Sequence, residues 1–267
     1  MSDHGRLQTD PARELAELCE RLMQRVDKPG DRFLAETFQV QAWSPEFVEI
    51  LFTISKRCEV VIDLVQRLPL DEDLRADAVA HVREIAAAFN LNGLQTPWNS
   101  HGCKRLAREN VQPLKMLSAT VRQIQAYPKP TPEDIENALA DIDLLLEWLS
   151  EHQLQESDSI RQALIEGLKL FRFRLQTLGW VGWGHAMDSL REVVAAYFAL
   201  EHSINITPDT NAEAMLRKIS AGLKSISAKI GVAQGVYDKG KFLLEIYGAA
   251  RAVGDVTSLF GGFLPSP

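Results

Sequence analysis

The chain has 267 residues and a net charge of −7, with 46% hydrophobic and 24% charged residues. These fractions are typical of a globular protein with a core of ordinary size. The negative charge disfavours nucleic acid as a partner, because such binding depends on Lys and Arg neutralising phosphates. The three cysteines, Cys19, Cys58 and Cys103, are too few and too widely spaced for a disulfide scaffold or a zinc module.

Residues 1–14 are polar and lack the apolar stretch of a secretory signal. The chain also contains no run of about 18 uncharged apolar residues, the length that a transmembrane helix needs. We therefore expect a soluble, cytoplasmic protein.

Residues 10–68 predict three helices. Asp10-Pro11 opens the first helix, and a short second helix runs from Asp31 through Trp43. Ser44-Pro45-Glu46 begins the third, because serine is a good N-cap, proline suits the first helical position and glutamate complements the helix dipole. Steps of three and four then define one inward face: Phe47, Leu51, Ile54, Cys58, Val61, Val65 and Leu68.

Two further helices are predicted before the clearest linker. One spans Asp71 to Phe89, with Leu74 among its inward positions, and the segment Leu94 to Gly102 after it, which contains Trp98, is predicted as a loop. Another spans about Lys104 to Ala126, and we expect a kink or a boundary at Pro113, because proline breaks the hydrogen-bond ladder. Alternate prolines in residues 127–132 hold the chain extended and predict a linker. The helix start seen at Ser44 recurs at Thr131-Pro132-Glu133 and at Thr207-Pro208-Asp209, which predicts two further capped helices.

A tryptophan-rich turn divides the helical stretch that follows Thr131-Pro132. Residues 179–184, GWVGWG, predict a turn between two helices, and the large apolar area of Trp180 and Trp183 predicts that this turn fills the core. The same two rings could instead stack on a ligand, with Arg172 and Arg174 supplying positive charge. We therefore name these four residues as a candidate binding site.

The segment 207–267 is basic and rich in small residues. Residues 212–267 contain seven Lys and Arg and four Asp and Glu, a net charge of +3. Steps of three and four predict a short coiled-coil-like seam and a second candidate binding surface: Leu216, Ile219, Leu223, Ile226 and Ile230. Such a basic amphipathic helix packs on its own bundle, docks on a partner or lies on a membrane surface.

Eight or nine amphipathic helices with short connections, and no alternating strand pattern, predict an all-α fold. We expect a multi-helix antiparallel bundle with a C-terminal amphipathic helical pair. The predicted domains are a helical bundle over residues 1–206, with its proline-rich linker near 127–132, and a C-terminal helical segment over 207–267.

Arg75 and His81 are separated by five residues, a spacing that resembles the Arg-x4–6-His motif of the HEPN ribonucleases, which are also all-α. The resemblance implies that Arg75 binds phosphate and that His81 acts in acid–base cleavage of RNA. Ala76 stands where that family commonly has a polar residue. Six positions correspond to about 600° of rotation along a helix, so the two side chains do not share a face well.

Asp73, Asp77, His81 and Glu84 are spaced along one helix in a way that metal ligands could use, but a solvated helix face explains them better, because Leu74, Ala78, Val82 and Ile85 already define the buried face. We predict no metal, no cofactor and no catalytic constellation.

The sequence therefore predicts a non-enzymatic helical protein that acts through protein–protein contacts, as a scaffold, adaptor or oligomerising module. The expected partner is another protein or a second copy, and a membrane surface is possible through residues 207–267. Two alternatives stay open. One is a membrane-active effector whose C-terminal helices are released by a trigger, and the other is a divergent HEPN-like ribonuclease.

Overall fold

The structure is a computed structural model, and it describes residues 8–152, 158–206 and 210–230. Within these ranges it confirms the all-α prediction, with twelve helices and one pair of two-residue strands. The elements are β1 (Gln8–Thr9), α1 (Pro11–Leu22), α2 (Gly30–Phe38), α3 (Pro45–Arg67), α4 (Glu72–Ala87), α5 (Leu91–Gln95), α6 (Gly102–Arg105), α7 (Arg108–Ile124), β2 (Tyr127–Pro128), α8 (Pro132–Glu151), α9 (Asp158–Gln176), α10 (Leu178–Val181), α11 (Trp183–Ile206) and α12 (Thr210–Lys229).

Nine of the twelve helices have nine or more residues, in agreement with the eight or nine predicted from the sequence. The other three, α5, α6 and α10, have four or five residues; α5 and α10 lie between the predicted long helices, and α6 overlaps the helix start predicted near Lys104. Helix α7 continues through Pro113, and no helix boundary lies there. The helix begins at Arg108, after its N-cap residue Ala107.

Two of the predicted Ser/Thr-Pro helix starts have the expected capping bonds. The Ser44 hydroxyl accepts the Phe47 N–H at 3.2 Å. Thr131 and Asp134 form a complete capping box, in which each side chain accepts the other residue's backbone N–H, at 3.1 and 2.9 Å. These bonds satisfy donors that a helix N-terminus otherwise leaves without a partner. The third predicted start, at Thr207, lies outside the described residues.

The described chain divides into two compact units, which are treated separately below. Unit 1 contains residues 8–129 and 173–187, and unit 2 contains residues 130–152, 158–172, 188–206 and 210–230. The boundary after residue 129 falls within the proline-rich segment predicted as a linker. The predicted domain boundary at 206/207 adjoins residues outside the described ranges and stays a prediction.

The core of unit 1 forms where α1 packs on α3 and α7, and where α4 packs on α3 and α7. Trp98, from a segment predicted as a loop, is fully buried in it. The Trp98 ring lies 5.3 Å from the ring of Phe33, and its Nε1–H donates to the Leu22 carbonyl at 2.9 Å. A Cβ on Gly102 would come within 2.2 Å of this ring, so the glycine permits the close approach.

In unit 2, helix α12 packs against α8. Four of the five predicted seam residues are buried, whereas Leu216 is half-buried and Met215 is the buried side chain at that step. Lys229 of α12 forms an ion pair with Asp141 of α8 at 2.6 Å. The seam therefore packs within its own unit. The second member of the predicted C-terminal pair lies in residues 231–267, outside the described ranges.

In the part of the chain that the structure describes, no helix combines the length and the apolar composition needed to cross a membrane.

The packing of α12 on α8 predicts a stability effect at Ile226, which is fully buried. The variant Ile226→Ala should lower the free energy of unfolding by about 2–5 kcal/mol, because it removes buried methyl groups and leaves a cavity. Urea unfolding followed by circular dichroism measures the change. Lys224→Ala, an exposed change in the same helix, is the control and should stay within about 0.5 kcal/mol. Equal effects of the two changes would contradict this packing.

Candidate functional site

The predicted tryptophan turn comprises the last residues of the short helix α10, the linking residue Gly182 and the first residues of α11. Gly182 has φ 81° and ψ 160°, a backbone conformation that is essentially confined to glycine. A Cβ at this position would also lie 2.8 Å from Arg57 Nε and 3.0 Å from Glu14 Oε2. Glycine is therefore required here both for the backbone conformation and for space.

Both tryptophans of the turn pack within unit 1. Trp183 is 1% exposed, so its ring faces are covered by protein rather than offered to a ligand. Trp180 is half-buried, with its ring 5.0 Å from that of Phe38 and beneath the guanidinium of Arg21 at 4.7 Å. The turn thus fills the core, as one of the two sequence interpretations predicted. A binding role for Trp180 stays a prediction.

A buried arginine and a half-buried glutamate hold the backbone of this turn. Arg57, 5% exposed on α3, donates to the Trp180 carbonyl at 2.5 Å. Glu14 of α1 accepts the Trp183 N–H at 3.0 Å. Arg21 donates to the Gly179 carbonyl. Helices α1 and α3 thereby fix the turn at three residues, Gly179, Trp180 and Trp183. The sequence pattern did not predict these roles of Glu14 and Arg57.

Burial changes the proton affinity of both charged groups. Loss of hydration raises the pKa of Glu14, an effect that the positive charge of Arg57 and the Trp183 N–H oppose. Loss of hydration likewise lowers the pKa of Arg57, while Glu14 opposes that change. Each group is therefore stabilised in its charged form mainly by the other and by the backbone of the turn.

The two arginines proposed to supply charge to a ligand are both engaged in ion pairs. Arg172, in unit 2, forms two hydrogen bonds with the carboxylate of Asp143, at 2.5 and 3.1 Å. Arg174, in unit 1, contacts Glu49 at 2.9 Å and donates to the His185 carbonyl at 3.0 Å. Neither guanidinium lies over a Trp ring in these contacts, and Arg21 occupies that position at Trp180.

Arg75 and His81 contact different parts of unit 1. Arg75 donates to the Leu70 carbonyl at 2.8 Å, at the start of α4. His81 Nδ1 lies 2.9 Å from Asn110 Oδ1 on α7, and because an amide oxygen only accepts, the imidazole donates. The hydrogen bonds of the described residues do not join Arg75 to His81, and the ribonuclease role implied by the resemblance stays a prediction.

Within the residues that the structure describes, no three His, Cys, Asp or Glu side chains are grouped as metal ligands could be. The sequence-spaced set around His81 is therefore not assembled into such a group.

Leu74, predicted to face inward on helix α4, is 54% exposed, while Val79 is buried instead.

Unit 1 presents an apolar surface that the sequence analysis missed, formed by Trp43, Val48 and Phe52 and called the α3 face below. These side chains are 50%, 49% and 56% exposed. Val48 and Phe52 are four residues apart on α3 and share a face. Trp43 and Val48 occupy the two positions, N′ and N4 around the Ser44 cap, whose side chains pack together in a hydrophobic staple. The missed signal was that Val48 and Phe52 are apolar but outside the inward stepping of this helix.

Trp43 has an unusual backbone conformation for its residue type. Its φ is 64°, in the left-handed region that a bulky side chain rarely adopts. The indole Nε1–H donates to Asp31 at 2.9 Å, and the ring meets that of Phe47 edge-on at 5.8 Å. These contacts hold a large aromatic side chain, half exposed, in a strained conformation, which is a feature of binding sites.

No family model matches the chain, and no curated protein or solved structure is significantly similar to it.

The paired burial of Glu14 and Arg57 predicts non-additive effects of mutation. Glu14→Leu alone should cost about 3–5 kcal/mol, because it leaves the buried charge of Arg57 uncompensated, and Arg57→Met should cost less, because the Glu14 that it leaves is half-buried. The double variant should cost clearly less than the sum, since both charges are removed together. Urea unfolding of the four proteins measures the coupling. Lys56→Met, which breaks an exposed α3 ion pair with Glu59, is the control and should cost at most about 1 kcal/mol. Strictly additive effects would contradict the coupling.

The raised pKa of Glu14 predicts a pH dependence of stability. The folded protein holds this proton more tightly than the unfolded chain, where the pKa is near the ordinary value of 4.5. The resulting stabilisation is fully present below pH 4.5 and is lost as the pH rises through the folded-state pKa. The stability of the wild type relative to Glu14→Gln should therefore fall across this window and level off above it. Urea unfolding at closely spaced pH values tests the sign, and a relative stability that rises with pH would refute it.

Proposed function

We propose that this protein is a non-enzymatic helical module that acts through protein–protein contacts, and that the α3 face of unit 1 is a docking surface. The observation that carries the proposal is the half-exposed group of Trp43, Val48 and Phe52. Large aromatic side chains supply much of the binding energy of protein interfaces, so two of them on one exposed surface favour such a role.

The buried charges of unit 1 support a structural rather than a catalytic use of its ionisable groups. Glu14 and Arg57 bind backbone atoms of the tryptophan turn. Burial also raises the pKa of the Cys19 thiol, and it raises that of Cys58 to about 12. A buried, protonated thiol is a packing group and not a nucleophile.

The proposed location of the protein is the cytoplasm. Cys19, Cys58 and Cys103 are all free and buried. Thiols persist in this form in a reducing compartment, whereas oxidising compartments favour disulfides.

Site-specific crosslinking tests the docking role. A photoreactive phenylalanine analogue at Phe52, in the cells that make the protein, should form an adduct with another protein. The same analogue at Met116, an exposed apolar position of α7 in the same unit, is the matched control and should not form that adduct. Val48→Lys, one helical turn from Phe52, should abolish the adduct because it places a charge in the surface. Identical adducts at both positions, or an adduct insensitive to Val48→Lys, would reject the proposal.

A further inference from the structure

We infer that unit 2 forms a two-fold symmetric dimer, in which α8 of each copy packs on α12 of the other. The inference goes beyond the proposed function and concerns a surface separate from the α3 face, so neither depends on the other. It rests on the opposite charges that these two neighbouring helices expose side by side.

Helices α8 and α12 carry charges of opposite sign. Helix α8 contains seven acidic residues and no Lys or Arg, whereas α12 contains four bases and one acid, Glu213. The ion pairs that these helices form with described residues are Lys229 with Asp141 and Asp143 with Arg172 of α9. The exposed charges without such a pair are the acids Glu133, Glu136, Glu147 and Glu151 and the bases Arg217, Lys218 and Lys224.

The contacts between α8 and α12 fix their relative direction. The Lys229 ammonium lies 2.6 Å from Asp141, and a Cβ on Gly222 would lie 3.1 Å from the Leu145 side chain. Later residues of α12 therefore lie beside earlier residues of α8, and the two helices are antiparallel. The turn of α12 that carries Arg217 consequently lies beside the last turn of α8.

Both helices expose their charged rows on the same side of the pair. In each helix the exposed row lies one residue before the contact positions. Its members include Glu136, Ala140, Leu144 and Glu147 in α8, and Ala221, Lys224 and Ala228 in α12. One residue corresponds to about 100° of rotation, and because the helices are antiparallel this rotation turns both rows towards one side. The acidic and basic rows therefore lie about 10 Å apart, the spacing of packed helices.

A two-fold axis parallel to the helices makes this surface complementary to itself. Two copies that face each other about such an axis place α8 of each copy opposite α12 of the other. Acidic rows then face basic rows at both contacts, whereas an axis across the helices would place α8 on α8, where like charges repel. The parallel axis also keeps positions level, so Glu147 and Glu151 of one copy lie beside Arg217 and Lys218 of the other.

The middle of the surface is apolar and permits close packing of helices. Leu144 is 65% exposed, and at its level the facing helix of a second copy exposes the small residues Ala221 and Ala228. Two helices about 30 Å long and about 10 Å apart present about 600 Å² per copy. The total of about 1,200 Å² is at the lower end of specific interfaces, so we expect a dimer that dissociates on dilution.

Anionic ligands fit this surface less well than a second copy. Phospholipid headgroups and nucleic acid phosphates bind exposed Lys and Arg, and the basic row of α12 offers both. The same ligands would meet the acidic row of α8 directly beside it, where like charges repel. A ligand of one charge sign thus satisfies only one of the two rows, whereas a second copy satisfies both.

Charge reversal tests the inference, because two variants that each disrupt the dimer should restore it when they are mixed. One variant combines Glu147→Lys with Glu151→Lys, and the other combines Arg217→Glu with Lys218→Glu. Sedimentation equilibrium of the full-length protein, at low and at high salt, measures the dissociation constant of the dimer. Circular dichroism checks that each variant keeps the helical content of the wild type.

Matched controls reverse exposed charges of unit 1. Asp63→Lys with Asp77→Lys corresponds to the acidic variant, and Arg32→Glu with Arg83→Glu corresponds to the basic one. Both controls should dimerise like the wild type, because their changes lie outside α8 and α12.

Each reversal in unit 2 should weaken dimerisation at least about tenfold at low salt, since facing helices then carry like charges. An equimolar mixture of the two variants should form a heterodimer with about the affinity of the wild type. In that heterodimer the reversed α8 faces the reversed α12, and the two unchanged helices face each other. High salt should reduce the differences, because exposed charges are screened.

Several outcomes would overturn the inference. A wild type that stays monomeric at low salt, or a dimer that neither reversal weakens, would exclude this interface. A mixture of the two variants that fails to form a dimer would show that α8 does not face α12. Binding to phosphatidylserine vesicles or duplex DNA that only the basic reversal abolishes would assign the basic row to that ligand. None of these results affects the crosslinking at Phe52, which tests the α3 face separately.

Discussion

The interaction on which unit 1 most depends is the burial of Glu14 and Arg57 beside Gly182. Residues 173–187 are separated from α1 and α3 by more than a hundred positions of sequence, so bringing them together costs chain entropy. Burying two charges adds a further cost, which is offset only when every charged group finds a partner. The turn supplies these partners as the Trp180 carbonyl and the Trp183 N–H. The hydrogen bond from the Trp183 N–H to Glu14 also fixes the backbone from which the Trp183 ring enters the core.

This arrangement separates the roles of interior and surface. Arg57 and Glu14 bind the backbone of the tryptophan turn, and loss of hydration raises the pKa of the Cys19 and Cys58 thiols. What the surface of unit 1 offers is exposed apolar area at Trp43, Val48 and Phe52, a property that protein interfaces use. Trp43 belongs to both parts, because its ring reaches Phe47 of the core while half of it remains in contact with water.

Local rules explain what could be predicted from the sequence. Ser44 and Thr131 were identified as caps because capping depends on neighbouring residues, and four of the five seam residues were identified because helical stepping determines which positions share a face. Leu216 and Leu74 were misplaced because the stepping pattern cannot choose between adjacent apolar positions, such as Met215 and Leu216, or show which part of a helix face a neighbouring helix covers. Trp98 was assigned to a loop, which carries no periodicity to reveal burial. The pairing of Glu14 with Arg57, and the exposed Phe52, depend on which helices meet, and no local pattern contains that information.

The restriction at Gly182 has a consequence for tracing the ancestry of this protein. A side chain there would need an unfavourable backbone conformation and would collide with two buried charges, so Gly182, Glu14 and Arg57 should change together or not at all during divergence. Exposed positions outside the α3 face are under no comparable packing constraint, and substitutions there usually change stability little. Distant descendants that have lost recognisable overall similarity should therefore still carry an acid in the first helix, an arginine in the middle of the third and a glycine directly before a tryptophan. We therefore expect these three widely spaced positions to accept the fewest substitutions in unit 1.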